Sequence, residues 1–305
     1  MADSIINRQS NLARTIVFIV LILLSLTFLL PFLWQVAASL TTNADIDLVS
    51  RTFWPAPRVG AEGAGAAAAA DGAGGVFGWL SDLRWNNYVD VFEKVPLAKY
   101  FFNSLLVAGW VTILQVLTSA MAAFAFSRIE WPGREKVFLL YLATMMIPGA
   151  VLLVPNFAIV LALGMYNAYS GLIIPAAFSA FGTFLLRQFM LTVPRSLDEA
   201  ATLDGAGSWR LFWDVILPLC RPGLITLAIF AFIFNYSSFF WPLILIKDEN
   251  LRTLPIGLLA FSDDYGTDIP LLMAASLLAM LPLVVLFVLL QKYLVRGIQL
   301  GAVKG

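Results

Sequence analysis

Apolar residues run through this chain in blocks far longer than the helices and strands of a water-soluble core require. A helix that crosses a bilayer needs about 20 mainly apolar residues to span a hydrocarbon layer about 30 Å thick. Six stretches reach that length: residues 15–38, 101–126, 137–163, 168–190, 217–246 and 271–294. The pattern predicts an all-α polytopic membrane protein with six transmembrane helices. Only Gly164-Met165-Tyr166-Asn167 divides the third stretch from the fourth, which calls for a tight helical hairpin. Pro148, Pro155, Pro175, Pro242 and Pro282 fall inside stretches. Each removes a backbone donor and kinks its helix, giving either hinges for alternating access or only the bends that let the bundle fit.

The segments between the stretches are uneven. Arg8 and Arg14 precede the first stretch and Ala37-Ala38-Ser39 follows it, the order of a secretion signal. Such signals have apolar runs of only about 7–15 residues, so this one is expected to remain as a membrane helix. Residues 59–78 are almost all Gly and Ala, a composition for a flexible excursion without chemistry. The expected organisation is an N-terminus over 1–14, the first helix over 15–38, a long loop over 39–100 and a transmembrane domain over 101–305. That domain includes a polar loop at 194–217 and a tail at 295–305. Most of the tryptophans, Trp34, Trp131 and Trp241 among them, are expected near helix ends, where an apolar ring with a polar N–H suits the headgroup layer.

Composition narrows the function. The chain is 60% hydrophobic and 12% charged, against about 25% charged in an ordinary soluble domain. Net charge is zero and no basic stripe exists, which speaks against a nucleic-acid partner. There is no His and a single Cys, Cys220. Histidine metal sites, Ser-His-Asp triads, Cys-His dyads and Cys-x-x-Cys redox pairs are therefore excluded, and Cys220 is expected to pack. With the N-terminus inside, twelve of the nineteen Lys and Arg fall in inner segments, although the outer loops are longer. That bias places both termini in the cytoplasm, and with them the polar loop at 194–217.

This loop is a charged island between two apolar stretches. Leu197, Ala200, Ala201 and Asp204 recur at helical spacing, with Asp198 and Glu199 in the first turn. A short helix with small Ala side chains can enter a partner's groove closely and at little entropic cost. Gly205 is expected to end it in the left-handed conformation. Trp209, Leu211, Phe212 and Trp213 are expected to pack a return leg against the membrane face, and the next helix to start near Pro218. On those residues alone, a short interfacial helix with Glu199 merely solvated is an equal reading.

The order Glu199-Ala200-Ala201, Gly205 six residues on, then Leu217-Pro218, resembles the EAA loop of ABC-importer permeases. Further words extend the likeness over nearly the whole chain except the Gly/Ala segment. They include Trp85-Asn86-Asn87-Tyr88, Asn103-Ser104-Leu105, Phe126-Ser127-Arg128, Met146-Ile147-Pro148, Phe184-Leu185-Leu186-Arg187 and Gly301-Ala302-Val303-Lys304-Gly305. They resemble the second permease of carbohydrate-uptake systems of the maltose and glycerol-phosphate type. The resemblance implies a multi-pass subunit of a bacterial or archaeal cytoplasmic membrane. It implies that Leu197, Asp198, Glu199, Ala200, Ala201, Asp204, Gly205, Leu217 and Pro218 dock an ATPase subunit, and that Lys304 in the tail contacts the same subunit. It further implies a second permease as heterodimer partner, two ATP-binding subunits that carry ATP and Mg, and an extracytoplasmic solute-binding protein. No cofactor is expected on this chain, which has no Gly-x-x-x-x-Gly-Lys-Ser/Thr phosphate loop.

One polar run lies within an apolar stretch. Asn235, Tyr236, Ser237 and Ser238, followed by Phe239, either line the path of a sugar or glue helices together. Sugar-type relatives often carry an acidic residue here, and this chain has none. Two other readings stand beside the sugar importer: an ABC permease for a non-sugar solute, and a secondary transporter driven by an ion gradient. The second would need ionisable residues within its spans, and none lies near the middle of a stretch.

Overall fold

The computed structural model describes residues 11–44, 46, 49, 83–263 and 266–302. The Gly/Ala segment 59–78 and Lys304 lie outside the described residues. The chain divides into two compact units, residues 1–95 with 260–278, and residues 96–259 with 279–305.

The first unit holds α1 (Asn11–Ser39), α2 (Asn87–Lys94) and a two-stranded antiparallel hairpin of β1 (Ser262–Asp263) and β2 (Gly266–Thr267). It also takes the start of a long final helix. From Arg14 to Leu33 the side chains of α1 are exposed, while Ala37 and Ala38 at its end are buried with Val49. That end is capped by a side chain. Asn87 donates through Nδ2 to the Ser39 and Thr41 carbonyls at 2.8 and 2.9 Å, which a helix end otherwise leaves without donors. Tyr88 Oη lies 2.8 Å from Ser39 Oγ, so the Asn87-Tyr88 pair secures the last turn of α1 from two directions.

The second unit is a bundle built on α3 (Leu97–Ser127). Around it come α4 (Arg134–Ala143), α5 (Leu153–Ala162), α6 (Tyr169–Ala176), α7 (Ala180–Thr192), α8 (Ser196–Leu203), α9 (Ser208–Leu219), α10 (Arg221–Tyr236) and α11 (Phe240–Leu245). The final helix, α12 (Ile269–Ala302), contributes its residues from Ala279 onward. One core joins Ala123, Phe124, Leu186, Met190, Phe212, Ile216, Cys220 and Leu227, so the lone cysteine packs. A second core joins Val107, Val111, Val160, Leu172, Leu245 and Ile256. Small residues set the helix spacing, as in other membrane bundles. A Cβ on Gly182 would stand 2.5 Å from Ser119 Oγ, and one on Gly223 would stand 2.6 Å from the Phe189 ring.

Among the described residues, three helices are long and apolar enough to cross a membrane: Arg14–Ser39, Leu97–Ser127 and Ile269–Gln291. Two bent pairs, α6 with α7 and α9 with α10, raise the number to five if each pair is one span. The third apolar stretch is not one helix. It breaks between α4 and α5 around Ile147-Pro148, where Ile147 is extended with ψ 118°. Steric conflict with the following proline ring disfavours helical backbone there. The fourth stretch bends by 40° after Pro175, and Ser179 restarts it by accepting from the Gly182 N–H at 3.0 Å. The helix after the polar loop starts at Ser208, ten residues before the expected Pro218. Leu211–Ile216 within α9 is π-helical, and Leu217 N–H reaches back to the Phe212 carbonyl. Pro218 has no N–H for Asp214, and the chain turns by 78° between α9 and α10 at Cys220. The hairpin at 164–167 holds, with Gly164 and Asn167 both left-handed. Asn167 Oδ1 accepts from the Lys247 and Asp248 N–H groups at 2.8 Å each.

Candidate functional site

The island predicted as a docking helix is α8. Asp198 and Glu199 sit in its first turn, where unpaired N–H groups favour negative charge. Its end is a closed cap. Gly205 takes φ +82° and donates its N–H to the Thr202 carbonyl at 3.0 Å, while Ala206 donates to Ala201 at 2.9 Å. These two bonds satisfy carbonyls that the last turn would leave open, and only a residue without Cβ takes that backbone cheaply.

Leu197, Glu199, Ala200 and Asp204 are exposed and Ala201 is half-buried, so they share one short accessible helix. Leu217 and Pro218 do not join them: they lie in α9, half-buried, with Leu217 packed against the core around Phe212 and Ile216. The residue that sequence reasoning passes over is Leu203. It is 89% exposed at the end of α8, more than any other large apolar side chain described, and its position next to Asp204-Gly205 is the signal that marks it. Of the return leg, Phe212 is buried and Leu211 partly so, but Trp209 and Trp213 remain exposed.

Asp198 turns inward. Its Oδ2 accepts from Arg128 Nη1 at 2.8 Å, and the Arg128 side chain is only 4% exposed. Arg128 Nη2 also donates to the Met190 and Val193 carbonyls at 2.6 and 2.9 Å. One guanidinium thus ties the end of α3, the C-terminus of α7 and the first turn of α8. Beside it, Arg187 meets both carboxylate oxygens of Glu135 at 2.7 and 2.9 Å, donates to the Phe126 carbonyl at 3.1 Å and lies over the Phe138 ring. At the surface, Arg195 Nη1 stands 2.8 Å from Glu130. Hydrogen bonding to Arg195, then its charge, holds the Glu130 carboxyl below the usual carboxylate range, and the same contact raises Arg195.

The polar run at 235–239 does not present one surface. Tyr236 is buried and donates its hydroxyl to the Ala279 carbonyl at 3.0 Å, while Asn235 Nδ2 bonds to Ala231 at 2.8 Å. Ser237 is exposed, Ser238 is half-buried, and Phe239 packs with the second core. A cavity of about 370 Å³ lies at Glu130–Lys136 and one of about 240 Å³ lies beneath Trp209. A larger one, about 530 Å³, opens between α3, the start of α7 and α10. Phe181, Phe230, Phe234, Ser179 and Gln115 line it, and Gln115 Oε1 is buried with no hydrogen-bond partner among the described residues. An isolated glutamine among apolar neighbours gives no sequence signal, so this cavity is visible only in the fold. Among the described residues no cluster of His, Cys, Asp and Glu is arranged to hold a metal.

Residues 115–300 match the model of the family described as binding-protein-dependent transport system inner membrane component. The chain is similar to the probable ABC transporter permease protein YurM of Bacillus subtilis, 34% identical over 300 residues, covering 98% of this chain and 91% of that one. It is also similar to AraQ, an arabinooligosaccharides transport system permease protein of Halalkalibacterium halodurans. That match is 33% identical over 226 residues, 74% of this chain and 81% of AraQ. In fold it matches a chain of a bacterial ABC transporter involved in the import of the acidic polysaccharide alginate, with a TM-score of 0.75 at 19% identity. The match covers 94% of this chain and 98% of the other. With a family match that takes in the α3 to α12 bundle and a relative aligned along nearly its full length, this chain belongs to the binding-protein-dependent transport system inner membrane components, the permease subunits of ABC importers.

Proposed function

We propose that this permease carries a sugar or related solute across the cytoplasmic membrane, along a path formed with a second permease. Two separate ATPase subunits, which hold the ATP and Mg, supply the motion from below, and a solute-binding protein delivers cargo from outside. The observation that carries the reading is α8: a two-turn helix with an exposed outer face, closed by a left-handed Gly205 and tipped by a bare Leu203. A helix this short is marginal in isolation. Here Arg128 holds its first turn from the bundle side while its outer face is left uncovered, the arrangement a docking lever needs. Leu197, Glu199, Ala200, Ala201, Asp204 and Leu203 form the docking face, and Leu217 and Pro218 support it from α9.

The described helices are compatible with six spans if the α4–α5 stretch crosses as a broken element, with both termini and α8 on the cytoplasmic side. Carbohydrate cargo is supported by the likeness to AraQ, and by the cavity of α3, α7 and α10. Its aromatic faces and unpaired Gln115 carbonyl suit a ligand with apolar ring faces and hydroxyl donors. Of the run at 235–239, Ser237 and Ser238 are the better path candidates and Tyr236 is a packing residue. Copurification tests the docking: Glu199→Lys and Gly205→Val should lose the ATPase subunit while the partner permease stays bound. Retention of the ATPase subunit in both variants would reject it.

A further inference from the structure

We infer that Arg128 is a positioning residue of the transport cycle: the pin of a hinge through which α8 moves the bundle. The inference rests on the docking reading of α8 and assigns the joint behind it. Helix α7 ends at Thr192, and its last turn is capped locally by Thr192 Oγ1 on the Phe189 carbonyl at 2.7 Å and by the Val193 N–H on the Met190 carbonyl at 3.2 Å, each carbonyl keeping a second lone pair. Arg128 fills two of the acceptors at that end, the Met190 and Val193 carbonyls, with a single nitrogen, and its charge also suits the negative end of the helix. The guanidinium is therefore fixed to α3 by its own backbone and to α7 by two bonds. Toward α8 it offers one bond only, Nη1 to Asp198 Oδ2. Arg128 Nε and Asp198 Oδ1 are both buried and have no hydrogen-bond partner among the described residues.

That asymmetry defines the mechanics. A bidentate fork would lock the angle between the two groups, whereas a single charge-assisted bond keeps them together and lets one turn about the other. Between α7 and α8 the chain runs only Val193–Arg195, with Pro194 restricting it. A push on the outer face of α8 therefore passes to α3 and α7 through the Asp198–Arg128 contact, and the two unpaired atoms leave capacity for a second arrangement of the joint. Arg187 does not share this role, because its hydrogen bonds go to both carboxylate oxygens of Glu135 and to the Phe126 carbonyl.

The test uses the full complex in lipid vesicles, with a Ser237→Cys reporter in a Cys220→Ser background. Labelling of the reporter by a water-soluble maleimide is compared with and without vanadate trapping of nucleotide on the ATPase subunits. With Arg128 present, trapping should change the labelling rate by about fivefold or more, the lower end of ordinary coupling between sites. In Arg128→Gln and Arg128→Lys, nucleotide should still be trapped in every assembled complex while the labelling rate no longer follows it. A labelling change in the variants equal to that of the parent overturns the inference. So does failure of both variants to assemble, since Arg128 would then be needed for folding alone; if only Arg128→Lys assembles, its labelling decides. Failure of the docking reading shows separately, as vanadate trapping that persists in a complex carrying Glu199→Lys.

Discussion

Trp241 donates its indole N–H to the carbonyl of Gly171 at 3.1 Å. That carbonyl is the one left without its helical donor by Pro175, four residues further along α6. The bond joins the start of α11 to the middle of α6 and repairs a proline defect with a side chain seventy positions away. Tryptophan here is a structural donor, and its role as a headgroup anchor, expected from its place near the end of an apolar stretch, is set aside.

Trp241→Phe keeps the ring and removes the donor. A buried carbonyl left unsatisfied costs about 1–3 kcal/mol, so the purified protein should unfold at a lower temperature in detergent. Trp110, which is half exposed on α3, provides the control. A Trp110→Phe variant that loses as much stability as Trp241→Phe would show that ring volume, not the bond, is responsible.

Ser119 on α3 and Gly182 on α7 meet in a close helix contact that a side chain governs. A Cβ at Gly182 would meet Ser119 Oγ at 2.5 Å and two Leu227 methyls at 3.1 Å. Gly182→Ala should therefore destabilise by about 1–3 kcal/mol through overpacking. Ser119 Oγ is buried and has no hydrogen-bond partner among the described residues, so Ser119→Ala should be neutral or stabilising by itself. In the double variant the Oγ clash disappears and part of the loss should return. A double-mutant cycle in denaturant reads the coupling, and strict additivity of the two changes would contradict the contact.

How far the sequence reaches depends on the range of the interactions. The length of α3, the stop of α8 at Gly205 and the hairpin at Gly164–Asn167 are legible, because each is set within a few residues by apolar length or by a left-handed position. The division of the third stretch is half legible: Ile147-Pro148 announces a kink, but an extended residue and a broken helix follow only from the packing around it. Arg128 appears in the chain as part of a family-like word, Phe126-Ser127-Arg128, while its partner Asp198 is 70 positions away and no periodicity joins them. Asn87, Asn103 and Ser104 behave alike. Asn103 Nδ2 donates to the Asn250 and Arg252 carbonyls and Ser104 Oγ accepts from the Leu254 N–H, contacts across about half the chain that the local pattern cannot hold. The run Asn235–Ser238 misleads for a simpler reason. Asn235 and Tyr236 point about 100° apart on the last turn of α10, and Ser237 and Ser238 lie beyond the helix end, so the four adjacent polar residues do not form one surface.

That geometry separates the effects of substitutions in the run. Tyr236→Phe removes the bond to the Ala279 carbonyl and should cost about 1 kcal/mol of stability, with little change in uptake by assembled complexes. Ser237→Ala with Ser238→Ala should do the reverse, altering uptake of the natural solute while leaving the amount of complex unchanged. Equal transport by the serine pair and the parent would remove these residues from the path.

Gly205 offers a test in which conformation and crowding are distinct. Nothing lies within 4 Å of the position a Cβ would take, yet φ is +82°. Any penalty must come from the backbone, about 1–2 kcal/mol for an ordinary L-residue in the left-handed region. Asparagine enters that region more readily than β-branched residues do. Retention of the ATPase subunit should therefore fall in the order Gly205, Gly205→Asn, Gly205→Val. Equal losses for Asn and Val would point instead to an interface that closes directly over the glycine.

Glu130 and Arg195 should show how little an exposed ion pair contributes beside the buried one at Arg128. Both side chains are more than half exposed, and solvent screens such a contact. The Glu130 carboxyl is lowered in the folded protein, so whatever stability the pair adds is present above the ordinary carboxylate range. It disappears as pH falls through the lowered folded value. Glu130→Gln should leave both neutral-pH stability and complex yield at the parent level, while removing any salt dependence the pair contributes. A marked loss of complex at neutral pH in Glu130→Gln would mean that a partner subunit covers Glu130 and raises the worth of its charge. That result would extend the docking face from α8 onto the α3–α4 turn.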